Sequence, residues 1–243
     1  MLFQKQHLSY LVYSMIVKLN SILIYLRALL VFFLIGPILL LLIFINTKLL
    51  YIIVIPFCKF MMFVFGCKDK VTGNLPENES FVIMANHQSF LDVFAVPTAL
   101  SGKFSAVAAS MNFKIPVYRT FLKKLKVVGI DRSNLENAIK SISKAEKVLE
   151  SGYHIVILPE GTRTVTGKIN SFKKGGFHLA KNTKSRIIPI VTKGLYDIKP
   201  KNRWYIKPGT VDIIVGDPIE TDDKTVEELL QETHKIFTNH LNS

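Results

Sequence analysis

The first 67 positions of this 243-residue chain contain no acidic residue, and their only charged side chains are Lys5, Lys18, Arg27, Lys48 and Lys59. A segment without carboxylates and with so few charges has no solvated, ion-paired face of the kind a surface helix of a soluble domain carries. Cysteine is nearly missing too. Cys58 and Cys67 have no CxxC partner and no histidine beside them, which removes a zinc site, a redox pair and a cysteine nucleophile and leaves two small apolar fillers. There is no Lys/Arg-dense run, no zinc-ligand spacing and no aromatic RNP-like motif, so the net charge of +13 does not point to nucleic acid. Internal repeats and low-complexity tracts are lacking as well.

What is present divides at about residue 67. Residues 28–45, ALLVFFLIGPILLLLIFI, run without a charge and reach the lower length limit of a bilayer-spanning helix. The stretch is too long for a signal-peptide core, and no small-residue cleavage site follows it. A second apolar stretch, 49–67, is interrupted by Pro56 and Lys59. Two arrangements fit. One is a hairpin that crosses the membrane twice; the other is a helical pair in one leaflet, bent at Gly36-Pro37. In both, lysines 5, 18, 68 and 70 place the rest of the chain on the cytoplasmic face. We therefore expect a helical membrane anchor over 1–67 and one domain over 68–243. That domain carries 26 Lys and Arg against 18 Asp and Glu, a balance that favours an anionic lipid surface.

Within 68–243, residues 69–80 are polar and carry Gly73, Asn74, Pro76 and Asn78, so they read as a linker. Short apolar runs at 81–85, 104–108, 154–158 and 187–191 read as strands. Over 134–150 the apolar residues Leu135, Ala138, Ile139, Ile142, Ala145, Val148 and Leu149 recur at helical spacing, and Gly152 stops the helix. Strands alternating with helices imply an α/β domain with a mostly parallel central sheet covered on both faces. Residues 205–207 and 211–215, separated by Pro208-Gly209, are expected as an antiparallel edge hairpin, followed by a closing helix from Val226 to about His240.

Chemistry-bearing residues cluster after the strands. Asn86-His87-Gln88-Ser89-Phe90-Leu91-Asp92 follows the first strand, at the carboxyl edge where open α/β sheets hold ligands. A neutral His87 can take a proton from an alcohol, and the Asp92 carboxylate on its other nitrogen would fix the tautomer and stabilise the imidazolium. The spacing alone is weak evidence; its place after a strand adds to it. Leu158-Pro159-Glu160-Gly161-Thr162-Arg163 follows a second strand. There Gly161 permits close backbone approach, Thr162 offers a hydroxyl, and Arg163 presents a planar fork suited to phosphate. Val128-Gly129-Ile130-Asp131-Arg132 ends a third strand, so Arg132 and Arg163 can converge on one anion. Phe172-Lys173-Lys174-Gly175-Gly176-Phe177 opens a helix whose two lysines either face an anion or are simply solvated.

Together these blocks resemble the 1-acyl-sn-glycerol-3-phosphate acyltransferase family of the glycerolipid acyltransferases. NHQSFLD is similar to its NHxxxxD block, VVGIDR to its block ending in Arg, LPEGTR to FPEGTR, and RIIPIV to its apolar block with Pro. All four stand in family order between Asn86 and Val191. The resemblance implies that His87 is the general base and Asp92 its orienting partner. It implies that Arg132, Glu160, Gly161, Thr162 and Arg163 bind the acceptor's phosphate. It also implies an acyl-CoA or acyl-carrier-protein donor with no other cofactor, a lysophospholipid acceptor, and phosphatidic acid as product. The alternative acceptor is another lysolipid, such as a lyso-ornithine lipid whose carboxylate suits the same arginine forks. The sequence departs from the family where Ala108-Ala109-Ser110-Met111 replace a Lys-rich stretch, and where Leu158 replaces Phe.

Overall fold

A computed structural model describes residues 2–45, 47–131 and 135–242. Arg132 lies outside the described residues.

Two helices open the chain, α1 (Leu2–Ile45) and α2 (Thr47–Val64). α1 continues through Gly36 and Pro37 as one helix, about 66 Å long at 1.5 Å per residue. Within it, residues Ser9–Leu39 are long and apolar enough to cross a membrane. Its stripe of Ser21, Ile24 and Ala28, at helical spacing, is buried against the rest of the molecule. The other faces carry uncovered Leu19, Leu30, Phe33 and Leu41.

Among the described residues seven strands follow: β1 (Cys67–Thr72), β2 (Val82–Ala85), β3 (Phe104–Ala109), β4 (Val128–Ile130), β5 (His154–Ile157), β6 (Ile187–Lys193) and β7 (Gly209–Val215). They form one sheet in the order β1-β7-β6-β2-β5-β3-β4. Every pairing is parallel except β6 with β7. Between the strands lie α3 (Asp92–Ala95), α4 (Pro116–Lys124), α5 (Leu135–Glu150), α6 (Gly175–Asn182) and α7 (Leu195–Ile198), and α8 (Val226–Asn242) closes the chain.

Both faces of the sheet are covered, which is why its central strands are apolar without alternation. On one face Ile83, Val156, Ile188 and Ile190 pack with Leu50, Val54, Cys58 and Met61 of α2. On the other, Val82, Ile155, Ile157 and Ile187 pack with Ala145 and Leu149 of α5, Phe177 of α6 and Leu229 and Phe237 of α8. The mostly parallel α/β architecture is as the sequence implies. α2, however, contributes its inner face to the core of the domain.

Two sequence expectations need correction. Residues 69–80 do not form a linker throughout, because Cys67–Thr72 is an edge strand paired in parallel with β7. Its only buried residue is Cys67, so its outward lysines and aspartate hid the pattern. Residues 205–207 form no hairpin with β7, which pairs instead with β6 and β1. Ile206 is tied to α1 instead, its N–H donating to Ser21 Oγ at 3.0 Å, and beside it Tyr25 Oη donates to the Trp204 carbonyl at 2.6 Å, while Lys207 N–H donates to the Ile198 carbonyl at 2.9 Å.

Candidate active site

Parallel strands deliver their carboxyl ends to one edge of the sheet, and the loops leaving β2, β5 and β6 meet there. Asn86, directly after β2, is buried and clamps β2 to β6. Its Nδ2 donates to the Thr192 carbonyl at 2.9 Å, and its Oδ1 accepts from Thr192 N–H at 2.7 Å. With that strand end fixed, His87 and Asp92 come together on a single turn. His87 Nδ1 lies 2.6 Å from Asp92 Oδ2. The same oxygen accepts from the N–H groups of Gln88 and Ser89, each at 3.0 Å.

Two of those donors are backbone amides, so Oδ2 acts as an acceptor and the ring proton belongs on Nδ1. Nε2 is then the basic nitrogen, and no partner occupies it among the described residues. Asp92 is 3 % exposed. Burial pushes its carboxyl above the ordinary carboxylate range, while the His87 ring and the Ser89 and Gln88 amides pull it back.

The loop after β5 is bonded to the same histidine. Glu160 Oε1 accepts from His87 N–H at 2.7 Å, and Thr164 N–H donates to the His87 carbonyl at 2.9 Å. Glu160 Oε2 accepts from Asn170 N–H at 2.8 Å. Burial raises the Glu160 carboxyl as well, and the Asn170 and His87 amides oppose the rise. Both Glu160 oxygens thus face backbone amides, a different place from the anion contact that the resemblance implies. Gly161 closes the turn with its N–H on the Leu158 carbonyl at 3.0 Å and a φ of 69°, in the left-handed region that favours glycine. Thr162 is exposed, and its Oγ1 accepts from Lys201 Nζ at 3.3 Å. Arg163 is half-buried and has no carboxylate partner among the described residues.

The lysines before α6 diverge from this centre. Lys174 is ion-paired to Glu227 of α8, and Phe172 and Phe177 pack into the core. His154, although buried, is structural: its Nδ1 accepts from Phe81 N–H at 3.2 Å, and burial lowers its pKa.

The segment after β6 carries contacts that sequence reasoning missed. Tyr196 N–H donates to Gln88 Oε1 at 3.3 Å, and its hydroxyl donates to the Val165 carbonyl at 2.9 Å. Ser89 Oγ donates to the Lys199 carbonyl at 2.7 Å. Lys199 is buried, and its neighbours include Arg163. Nothing marks Lys199 among the 31 Lys and Arg of the sequence; only its place just after an apolar strand singles it out.

With this geometry in view, the comparisons with known proteins agree with one another. A family model described as Acyltransferase matches residues 68–193, more than half of the chain. The 1-acyl-sn-glycerol-3-phosphate acyltransferase of Cocos nucifera is 28% identical over 187 residues, covering 75% of this chain and 61% of that protein. Its namesake from Pseudomonas aeruginosa is 33% identical over 171 residues, covering 66% of this chain and 64% of that protein. The matched part spans 41% to 66% of the length of the first three curated relatives. The crystal structure of the 1-acyl-sn-glycerophosphate acyltransferase PlsC from Thermotoga maritima shares the fold, with a TM-score of 0.82 and 24% identity over 93% of this chain and 96% of that one.

Proposed function

The chain belongs to the Acyltransferase family, and we propose that it moves a fatty acyl group from acyl-CoA or acyl carrier protein to the sn-2 hydroxyl of 1-acyl-glycerol-3-phosphate, giving phosphatidic acid. The observation that carries this reading is the His87 Nδ1–Asp92 Oδ2 contact of 2.6 Å, which leaves Nε2 basic and unoccupied among the described residues. Nε2 takes the proton from the acceptor hydroxyl as its oxygen attacks the thioester carbonyl carbon. The carbon–sulfur bond then breaks, and the departing sulfur takes the proton back from the imidazolium. Asp92 stabilises that imidazolium.

A thioester is already activated, so no acyl-enzyme is required. The state of Ser89 and of Cys67 supports this. Ser89 is fully buried with its hydroxyl on a carbonyl. The Cys67 thiol is buried in β1 and pushed up to about 12, mainly by burial, with Asp69 adding to it. We assign Glu160 to positioning, since its two oxygens hold the His87 and Asn170 amides. Arg163, with Thr162 and the Gly161 turn, faces the acceptor phosphate.

Contacts along α1 support the one-leaflet arrangement. The domain meets α1 at Ser21 and Tyr25 and again at Phe44, whose ring lies 5.4 Å from Lys124 Nζ. Ser21 and Phe44 are about 35 Å apart along the helix, more than the roughly 30 Å hydrocarbon core of a bilayer. A helix standing upright in the membrane would carry the charged α4 through that core. Lying flat, it puts its uncovered faces into one leaflet and the domain above it.

The test is acylation of lysophosphatidic acid by the purified protein with each donor, read as phosphatidic acid. His87→Ala should lower kcat by roughly 10²–10⁴-fold while leaving membrane binding unchanged. Full activity in that variant would remove the dyad from the mechanism.

A further inference from the structure

Lys199 is a charged side chain in an unusual position. It is 8 % exposed, yet among the described residues no carboxylate stands within ion-pairing distance of its ammonium. One of its three donors is used on the Pro200 carbonyl at 3.1 Å, and the Phe90 ring lies 5.8 Å away. The charged groups that act on it most are cations, Arg163 and Arg203. Arg203 is already spent on the carbonyls of Asp197, Ile198 and Tyr205. Arg163 is not. An unpaired buried cation beside a second cation costs stability unless an anion joins them.

The backbone fixes where that anion would be. Ser89, three residues before Asp92, holds the Lys199 carbonyl. Lys201 Nζ reaches Thr162 Oγ1 on the loop of Arg163. Tyr196 bonds both Gln88 and Val165. The segment 195–201 therefore bridges the histidine loop and the arginine loop, with Lys201 bonded to Thr162 beside Arg163 and Lys199 within electrostatic reach of Arg163.

We propose that Lys199, assisted by Lys201, is a specificity-determining residue that binds the acceptor's phosphate together with Arg163 and selects phosphomonoester dianions over phosphodiester monoanions. This rests on the acyltransferase reading above. A phosphomonoester carries close to two negative charges at neutral pH, its second ionisation lying near 6, and three cations without a carboxylate among them match that charge. A phosphodiester head group brings one charge and a bulky substituent. The ammonium of Lys199 is held below the ordinary lysine range by burial, then by Arg163 and Arg203, which is the sign expected where a cation awaits its counter-ion.

The experiment compares wild type, Lys199→Met and Lys201→Met on lysophosphatidic acid and on lysophosphatidylglycerol, with KM and kcat separated. Methionine keeps a long apolar stem and removes only the charge. Lys199→Met should raise KM for lysophosphatidic acid about tenfold, the scale of one charge-assisted hydrogen bond, with kcat within twofold. KM for lysophosphatidylglycerol should change less, so the preference between the two acceptors narrows. The exposed Lys201→Met, which disturbs no core packing, should move both ratios the same way by a smaller factor. Active wild type with an unchanged acceptor preference in both variants overturns the proposal and leaves the acyltransferase reading standing. So does a variant that loses kcat at constant KM, the mark of a merely structural lysine. Wild type that acylates neither lipid overturns the reading and the proposal together.

Discussion

Phenylalanine has opposite fates in the two halves of the chain. In the α/β domain Phe81, Phe177 and Phe237 are fully buried, whereas in α1 Phe32 and Phe33 are 60 % and 64 % exposed. A side chain of this size gains roughly 1.5–3 kcal/mol on leaving water, so a long helix that leaves such residues uncovered is shaped for a solvent other than water. The polar inventory shows the reverse contrast. Asp92 and Glu160 are buried in the domain, with Asp92 Oδ2 and both Glu160 oxygens accepting from backbone amides, while 2–45 holds no carboxylate. In the proposed reading, lipid contact and catalysis are thus separated by region. Each can be broken without the other.

The largest effect should come from Asp92→Asn. An asparagine with its oxygen in the place of Oδ2 can still accept from His87 Nδ1 and from the Gln88 and Ser89 amides, but it is neutral and leaves the imidazolium formed in the reaction without its stabilising charge. Turnover should fall by roughly 10²–10⁴-fold in the acyl-transfer assay. Stability should move the other way. Burial raises the Asp92 pKa in the folded chain above its unfolded value. Folding is therefore opposed by its ionisation, and that cost is fully present above the raised pKa. The variant should unfold at an equal or higher temperature than wild type at neutral pH. The difference should shrink as pH falls toward the ordinary carboxylate range. A variant that is less stable at neutral pH and gains on acidification would reverse the sign.

Second in size is the lipid-facing side of the comparison. Leu19→Lys combined with Phe33→Lys places two charges on uncovered faces of α1. Vesicle binding should drop by roughly tenfold to a hundredfold for each, given about 3 kcal/mol for a lysine inside the apolar layer. Turnover on lysophosphatidic acid dispersed in detergent should stay within a factor of two. Co-sedimentation with anionic vesicles measures the first quantity. Undiminished binding would remove α1 from the membrane contact.

The contrast between regions also sets how much of the molecule was legible in its sequence. α5 was readable because Ala138, Ile142, Ala145 and Leu149 must meet one buried face, and helical spacing records that. The His87–Asp92 pair was readable from its place after a strand and from the arginine-bearing blocks that accompany it, the spacing alone being weak. β1 was not, since an edge strand buries little and Lys68, Asp69 and Lys70 obey solvent rather than the sheet. Residues 204–206 were not either, because their partners, Ser21 and Tyr25, stand some 180 positions away. Glu160 shows a further limit. Its motif marks it as part of the site, but only the amides of His87 and Asn170 show that it holds loops. Lys199 escaped altogether, because an unpaired charge is recognised by what does not surround it.

The smallest effect is also the one that separates the two membrane arrangements. Trp204 is the sole tryptophan. It is half exposed and adjoins α1 through the bond from Tyr25 to its carbonyl. If α1 lies flat in one leaflet with the domain above it, Trp204 sits at headgroup level, where indole rings favour the interface. Its emission should shift to the blue by a few nanometres on binding anionic vesicles, and quenchers near the headgroup should act on it more strongly than quenchers deep in the acyl chains. Tyr25→Phe should loosen the junction by about 1 kcal/mol and blunt that difference in quenching without abolishing binding. An upright α1 instead puts the helix near Tyr25 at mid-depth, and the deep quencher would then dominate. That outcome would restore the crossing hairpin, detach α4 from Phe44, and leave the comparison between the two regions resting on the catalytic half alone.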